Sequence, residues 1–192
     1  MTSAQHMTET VRHGTPPEVV DVAYRALGVI DLDPTSDHAL NQWVLARRYL
    51  TAEQDATRTP WFAGGPAPLR VFTAAPPSHT PETAICNPPG GLIKELWYSL
   101  CSYWARGWIS SAVWVGFSVE QLTYLQKTRA PYQPLHLATC FPRRRLAYRT
   151  PSGQIADSPP HASYLTLLTR DPVVHRRFVE AARKKLGHVI NA

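Results

Sequence analysis

The chain has 192 residues, 44% hydrophobic and 18% charged, with 18 prolines against 10 glycines and a net charge of +6 at pH 7. That length sustains one real core without disulfide staples, and the composition excludes a collagen-like, low-complexity or disulfide-scaffold protein. The longest apolar run, Ala112 to Val119, is too short to cross a bilayer, and no signal-peptide pattern opens the chain.

Residues 1–12 are polar and aperiodic and read as a disordered tail ahead of a single domain over 13–192. From Pro16, Val19, Val20, Ala23 and Leu27 recur at helical spacing, with Thr15 as N-cap, prolines in the first turn and Gly28 as stop. Val29 to Pro34 carries a short buried-strand signature, and Ser36 to Tyr49 reads as a second helix. Residues 51–81 are irregular and proline-rich, with one strand at most, Leu69 to Thr73; a loop of that length is usually functional or mobile. Thr83 to Cys86 reads as a strand. Leu92 to Ala105 reads as a helix whose Ile93, Leu96, Trp97, Leu100 and Trp104 form one stripe.

Ala112 to Phe117 is a near-continuous apolar strand, Val119 to Lys127 is helical, and Leu135 to Cys140, Arg145 to Arg149 and Tyr164 to Thr169 are strands. Val173 to Leu186 closes as a helix. Strands that alternate with helices and are apolar at successive positions predict an α/β sheet, mostly parallel and covered on both faces. The three cysteines, Cys86, Cys101 and Cys140, have no metal-ligand spacing and lie in apolar runs, which predicts buried reduced thiols and a cytoplasmic setting.

In such sheets a ligand lies beyond the carboxyl ends of the strands. Two loops leave such ends with polar groups: Asp31-Leu32-Asp33-Pro34-Thr35-Ser36 and Asn87-Pro88-Pro89-Gly90-Gly91. The second is a rigid acceptor. Each proline fixes its own φ and restricts the residue before it, and neither has an amide hydrogen to compete. The Asn87 side-chain oxygen and the Pro88 carbonyl can then face one incoming amino group. Read structurally, the same triplet is a capped turn, and Asp31 or Asp33 caps the following helix.

The Asn87-Pro88-Pro89 segment resembles the Asp/Asn/Ser-Pro-Pro-aromatic motif of the amino-methyltransferases, which transfer a methyl group from S-adenosylmethionine to exocyclic nitrogen. The chain as a whole is similar to the phage-type DNA adenine-N6 methyltransferases from about His13 to His188. The pieces run in order: Gly14-Thr15-Pro16, Asp31 to Ser36, Tyr49 to Asp55 followed by Trp61, Asn87 to Gly91, Val115 to Leu122, Pro142 to Leu146, and Ser158-Pro159-Pro160-His161-Ala162.

The resemblance implies a class I, Rossmann-like methyltransferase fold. It implies S-adenosylmethionine held by Asp31, Asp33, Pro34 and Ser36, with Asp55 near the cofactor adenine and Thr15 and Pro16 beside its methionine end. Asn87, Pro88, Pro89 and Gly90 would form the catalytic loop. Arg143, Arg144 and Arg145 would meet DNA phosphates and His161 would line the base pocket. Read from the residues alone, Arg176, Arg177, Arg183, Lys184 and Lys185 are in part a solvated helix face. A phage or prophage protein in a bacterial cytoplasm, with DNA as partner and no membrane association, is the implied setting. N4-cytosine and protein-amide methylation use similar loops, and the residues do not separate these targets.

Two departures stand out. Gly90 occupies the place of the aromatic that stacks on the flipped base; Trp97, Tyr98 and Phe117 are the rings near it in sequence. The Phe-x-Gly-x-Gly cofactor loop is missing, with Asp33-Pro34-Thr35-Ser36-Asp37 in its place. They raise a second reading, a non-catalytic DNA- or partner-binding derivative of the fold.

Overall fold

The computed structural model describes residues 13–61, 81–117, 136–150, 152–155 and 162–191. Helix α1, Pro17–Leu27, buries Val19, Val20, Ala23 and Leu27 and stops at Gly28, whose positive φ of 78° lets its N–H return to the Tyr24 carbonyl at 2.8 Å. The expected Thr15 cap does not form. Pro16 is the N-cap, and its ring has no acceptor to make a side-chain cap hydrogen bond. The Val19 and Val20 N–H groups turn back to the Pro16 carbonyl instead.

The next pair is β1, Leu32–Asp33, and α2, His38–Val44. Helix α2 is shorter than the stretch expected to be helical. It starts at Asp37, whose carboxylate accepts from the Leu40 N–H at 2.8 Å, and ends where Leu45 turns left-handed. The rest of that stretch supplies β2, Arg48–Tyr49. There follow β3, Glu82–Cys86, a 3-10 turn at Gly90–Leu92, α3, Ile93–Ala105, and β4, Ile109–Phe117. The chain closes with β5, His136–Pro142, β6, Ser163–Thr169, α4, Pro172–Lys185, and β7, Gly187–Asn191.

Strand β7 has no counterpart among the expected elements. The strand expected over Arg145 to Arg149 reduces to bridges from Arg149 to Gly14 and Ile155. The expected tail, the strand at Leu69 to Thr73 and the helix at Val119 to Lys127 lie outside the described residues.

The seven strands form one sheet in the order β2-β1-β3-β4-β6-β5-β7. Strands β2, β1, β3 and β4 pair in parallel, whereas β6 is antiparallel to both β4 and β5, and β7 is antiparallel to β5. The sheet is therefore mixed, and its longer ladders are antiparallel. The expectation of a mostly parallel sheet holds for one half only. Strand β6 misleads because every one of its positions is buried; a central strand covered on both faces reads the same in either direction.

Helices α1 and α4 cover one face, packing Val19, Val22 and Phe178 on Ile85, Val113, Leu165 and Leu167. Helix α3 covers the other with Leu96, Trp97 and Trp104 on Cys86, Trp114 and Leu168. All three cysteines are free and buried. No helix among the described residues is long and apolar enough to cross a membrane.

This topology creates one special place. From β1 the chain moves to β2 on one side, and from β3 it moves to β4 on the other. The carboxyl ends of adjacent β1 and β3 thus open into loops that diverge, which is where an open α/β sheet has a crevice for a ligand. Strands β4 and β5 end on that same edge, and β6 begins there.

Position 116 tests the antiparallel seam. Gly116 pairs with Tyr164 across β4 and β6, and a Cβ at Gly116 would fall inside the Tyr164 ring. Gly116→Ala should lower stability by about 1–3 kcal/mol, read from urea midpoints. Combining it with Tyr164→Leu should cost less than the sum of the two single changes.

Candidate functional site

Asp33 is the last residue of β1 and is 2% exposed. It caps no helix; that role belongs to Asp37. Its Oδ1 accepts from the Thr35 N–H at 2.9 Å and the Thr35 hydroxyl at 2.7 Å, closing a tight turn over Pro34. Oδ2 makes no hydrogen bond among the described residues. Burial pushes the Asp33 carboxyl up to about 6, with the Thr35 hydrogen bonds opposing and the Asp37 charge adding to the rise. A buried carboxylate with no cation beside it among the described residues is a candidate functional group.

The β3 loop is tied to this turn. The Asn87 backbone N–H donates to the Thr35 hydroxyl oxygen at 2.9 Å, so one hydroxyl accepts from one loop and donates to the other. Asn87 is 8% exposed. Its Nδ2 donates to the His13 carbonyl at 3.0 Å, which fixes the amide orientation. Its Oδ1 is shielded from solvent and finds no donor among the described residues. An orphaned buried acceptor costs about 1–3 kcal/mol.

Pro88 is buried, and Pro89 and Gly90 are exposed. Gly90 has neither a positive φ nor a close neighbour: a Cβ there would meet nothing within 4 Å. The missing aromatic is not missing for want of room.

The other expected residues divide. Thr15, Pro16 and Ser36 are buried near these loops, and Ser36 donates to the Asp37 carbonyl at 3.4 Å. Asp31 lies ahead of β1 rather than after it, and its carboxylate is committed. Oδ1 pairs with Arg47 at 3.0 Å, and Oδ2 accepts from the Thr83 N–H and hydroxyl. It stitches β1 to β3. Asp55 holds a left-handed turn (φ 48°), accepting from Thr57 and pairing with Arg58 at 3.4 Å. Both acids have structural work that accounts for them.

Arg143, Arg144 and Arg145 are all exposed and leave the carboxyl end of β5, on the same edge as Asn87. His161 lies outside the described residues.

Of the rings near Gly90 in sequence, Trp97 is buried edge-on against Trp114, and Tyr98 is 57% exposed on α3. Phe117, at the end of β4, lies 5.6 Å from Tyr148, which in turn is 5.7 Å from His13.

His13 is the residue that the sequence did not single out. Its carbonyl holds Asn87, its Nδ1 is buried with no hydrogen-bond partner among the described residues, and burial lowers its pKa. The adjoining Gly14 bridges Arg149 at 2.6 Å. A lone His beside a tail carries no spacing signal, so only the fold reveals it.

No group of three or more His, Cys, Asp or Glu among the described residues could hold a metal ion. What the arrangement offers is a buried acid at the end of β1 and an amide acceptor at the end of β3, locked together by Thr35. No family model and no curated protein matches the chain.

The Asp33 carboxyl predicts a stability profile. Its folded value, about 6, stands above the unfolded value of 3.8. Between those values the folded chain holds a proton that the unfolded chain has lost, so stability falls as pH rises through that window. Asp33→Asn keeps an acceptor for Thr35 and does not titrate. Its stability relative to the parent should improve by up to about 3 kcal/mol from pH 4 to pH 7. Urea titrations at both pH values check this; a pH-independent difference would refute it.

Proposed function

We propose that the protein transfers a methyl group from S-adenosylmethionine to the exocyclic N6 of adenine in DNA. The observation that carries this reading is the unmatched Asn87 Oδ1, hydrogen-bonded through its own backbone to the turn of buried Asp33 at the sheet's switch point. The motif resemblance and the net charge of +6 support it.

In this reading Asp33 takes the donors of the cofactor, either ribose hydroxyls or the methionine ammonium, through the oxygen that Thr35 leaves unused. The cofactor supplies an electrophilic methyl on a positively charged sulfur. Asn87 Oδ1 and the Pro88 carbonyl accept the two hydrogens of the target amine. That draws the nitrogen lone pair out of conjugation with the ring and aims it at the methyl carbon. The amine nitrogen held in this way would take the methyl group as the methyl–sulfur bond breaks, and the surplus amine proton would leave to solvent. Positioning and electrostatics carry the rate, with no covalent enzyme intermediate.

A base in a duplex must first leave the stack. Because Oδ1 is shielded, the arriving base must also displace its cover; the His13 segment, bonded to Nδ2 of the same amide, lies beside it.

A second reading is favoured by one observation: the loop after β1 holds Pro34, Thr35 and Ser36 and no glycine. It makes the chain a DNA-binding derivative that holds no cofactor. Calorimetry with S-adenosylmethionine separates the two, since the enzyme releases heat on binding and the derivative does not.

Nucleosides from the DNA of cells expressing the protein should contain N6-methyladenine by mass spectrometry, and an Asn87→Ala strain should show none. Its absence with the parent chain refutes the enzyme. Gly90→Tyr should fold normally, given the open space at that position, and should tighten binding of single-stranded DNA by about 1–3 kcal/mol through one base stack. Unchanged affinity in a fluorescence titration would show that no base passes Gly90.

A further inference from the structure

Two basic runs that are far apart in sequence meet in the fold. The first is Arg143, Arg144 and Arg145 after β5; the second is Arg183, Lys184 and Lys185 in the last turn of α4. All six are exposed. The Arg143 N–H donates to the Leu186 carbonyl at 3.0 Å, and the Arg143 guanidinium reaches the Arg183 carbonyl at 3.4 Å.

The junction is built closely. A Cβ at Gly187 would run into the Phe141 carbonyl and come 2.8 Å from the Arg143 nitrogen, so only glycine lets α4 end against this loop. Lys185 then pairs with Asp21 in α1 at 3.1 Å. Helix α1 begins at the Pro16 and His13 segment that holds Asn87. The cations therefore lie on the Asn87 edge of the sheet, joined to it through the first turns of α1.

Part of this charge has a local use. Cations in a last turn suit the negative end of the helix, and the Arg143 guanidinium caps α4. Those uses account for neither Arg144 nor the approach of a second basic loop to a helix end already rich in cations. Bringing like charges together is unfavourable unless an anion lies over them.

We propose that the α4 terminus and the Arg143–Arg145 loop form one phosphate-binding surface, which carries the backbone of the nucleic acid whose base is presented at Asn87. It rests on the proposed function only for which nucleic acid is bound; the surface itself needs a polyanionic backbone. Salt dependence is its signature, because each phosphate neutralised releases condensed counterions.

The test uses the full chain and a fluorescein-labelled duplex of mixed sequence, with affinity measured across a salt series. Arg183→Gln with Lys184→Gln should lower the slope of log affinity against log salt by about 1.8, and adding Arg144→Gln by about 0.9 more. Arg176→Gln with Arg177→Gln is the control. These exposed residues lie on the same helix toward its other end, and their loss should leave the slope unchanged. An unchanged slope in the α4-end variant, or an equal drop in the control, overturns the surface. If the slopes shift as expected but no methyl group is transferred, the surface stands and the enzyme falls. If methyl transfer occurs with unchanged slopes, the enzyme stands and the surface falls. A parent chain that binds no DNA sinks both.

Discussion

The site depends on one hydroxyl. Thr35 donates to the Asp33 carboxylate and accepts from the Asn87 backbone, and so makes two loops from different strands behave as one piece. Without it the Asp33 carboxylate would keep only the Thr35 N–H, and the Asn87 N–H would lose its partner. The bond forms because β1 and β3 are neighbours whose connections leave in opposite directions. The divergence of the two loops comes from strand order alone.

The two sides of that crevice are held differently. On the β3 side the prolines restrict the backbone whatever the chain packs against. On the β1 side the restraint is an assembled set of hydrogen bonds around Asp33, and that set requires taking a carboxylate out of water. Rigidity on one side is thus intrinsic to the chain, and on the other it depends on the folded state. Asp31, two residues earlier, shows what a purely structural acid looks like here, with Arg47 on one oxygen and Thr83 on the other.

Much of this was legible in the sequence, and the failures share a cause. Val19, Val20, Ala23 and Leu27 announced α1, and the stripe from Ile93 to Trp104 announced α3, because helical periodicity is written into single residues. Both candidate loops could be found because acid, Asn and proline punctuate strand ends. Strand direction could not be found: β6 is buried on both faces, and burial carries no sign. Strand β7 is too short to stand out from the end of α4, and the Thr15 cap does not form because the helix starts one residue later, with Pro16 at the N-cap. At the site, Asp31 and Asp33 look alike in sequence and differ only in what the fold brings beside them. His13 depends wholly on tertiary structure, since its relation to Asn87 spans 74 residues.

One further feature lies a short distance from the site. Arg149 bridges Gly14 through its backbone, and its guanidinium rests 5.0 Å from the ring centre of Trp43, an indole 39% exposed. The strap that touches Asn87 is thereby coupled through one arginine to a chromophore at the surface. The backbone of that arginine holds the strap while its side chain, anchored on the Gly153 carbonyl, lays a positive charge over the exposed indole.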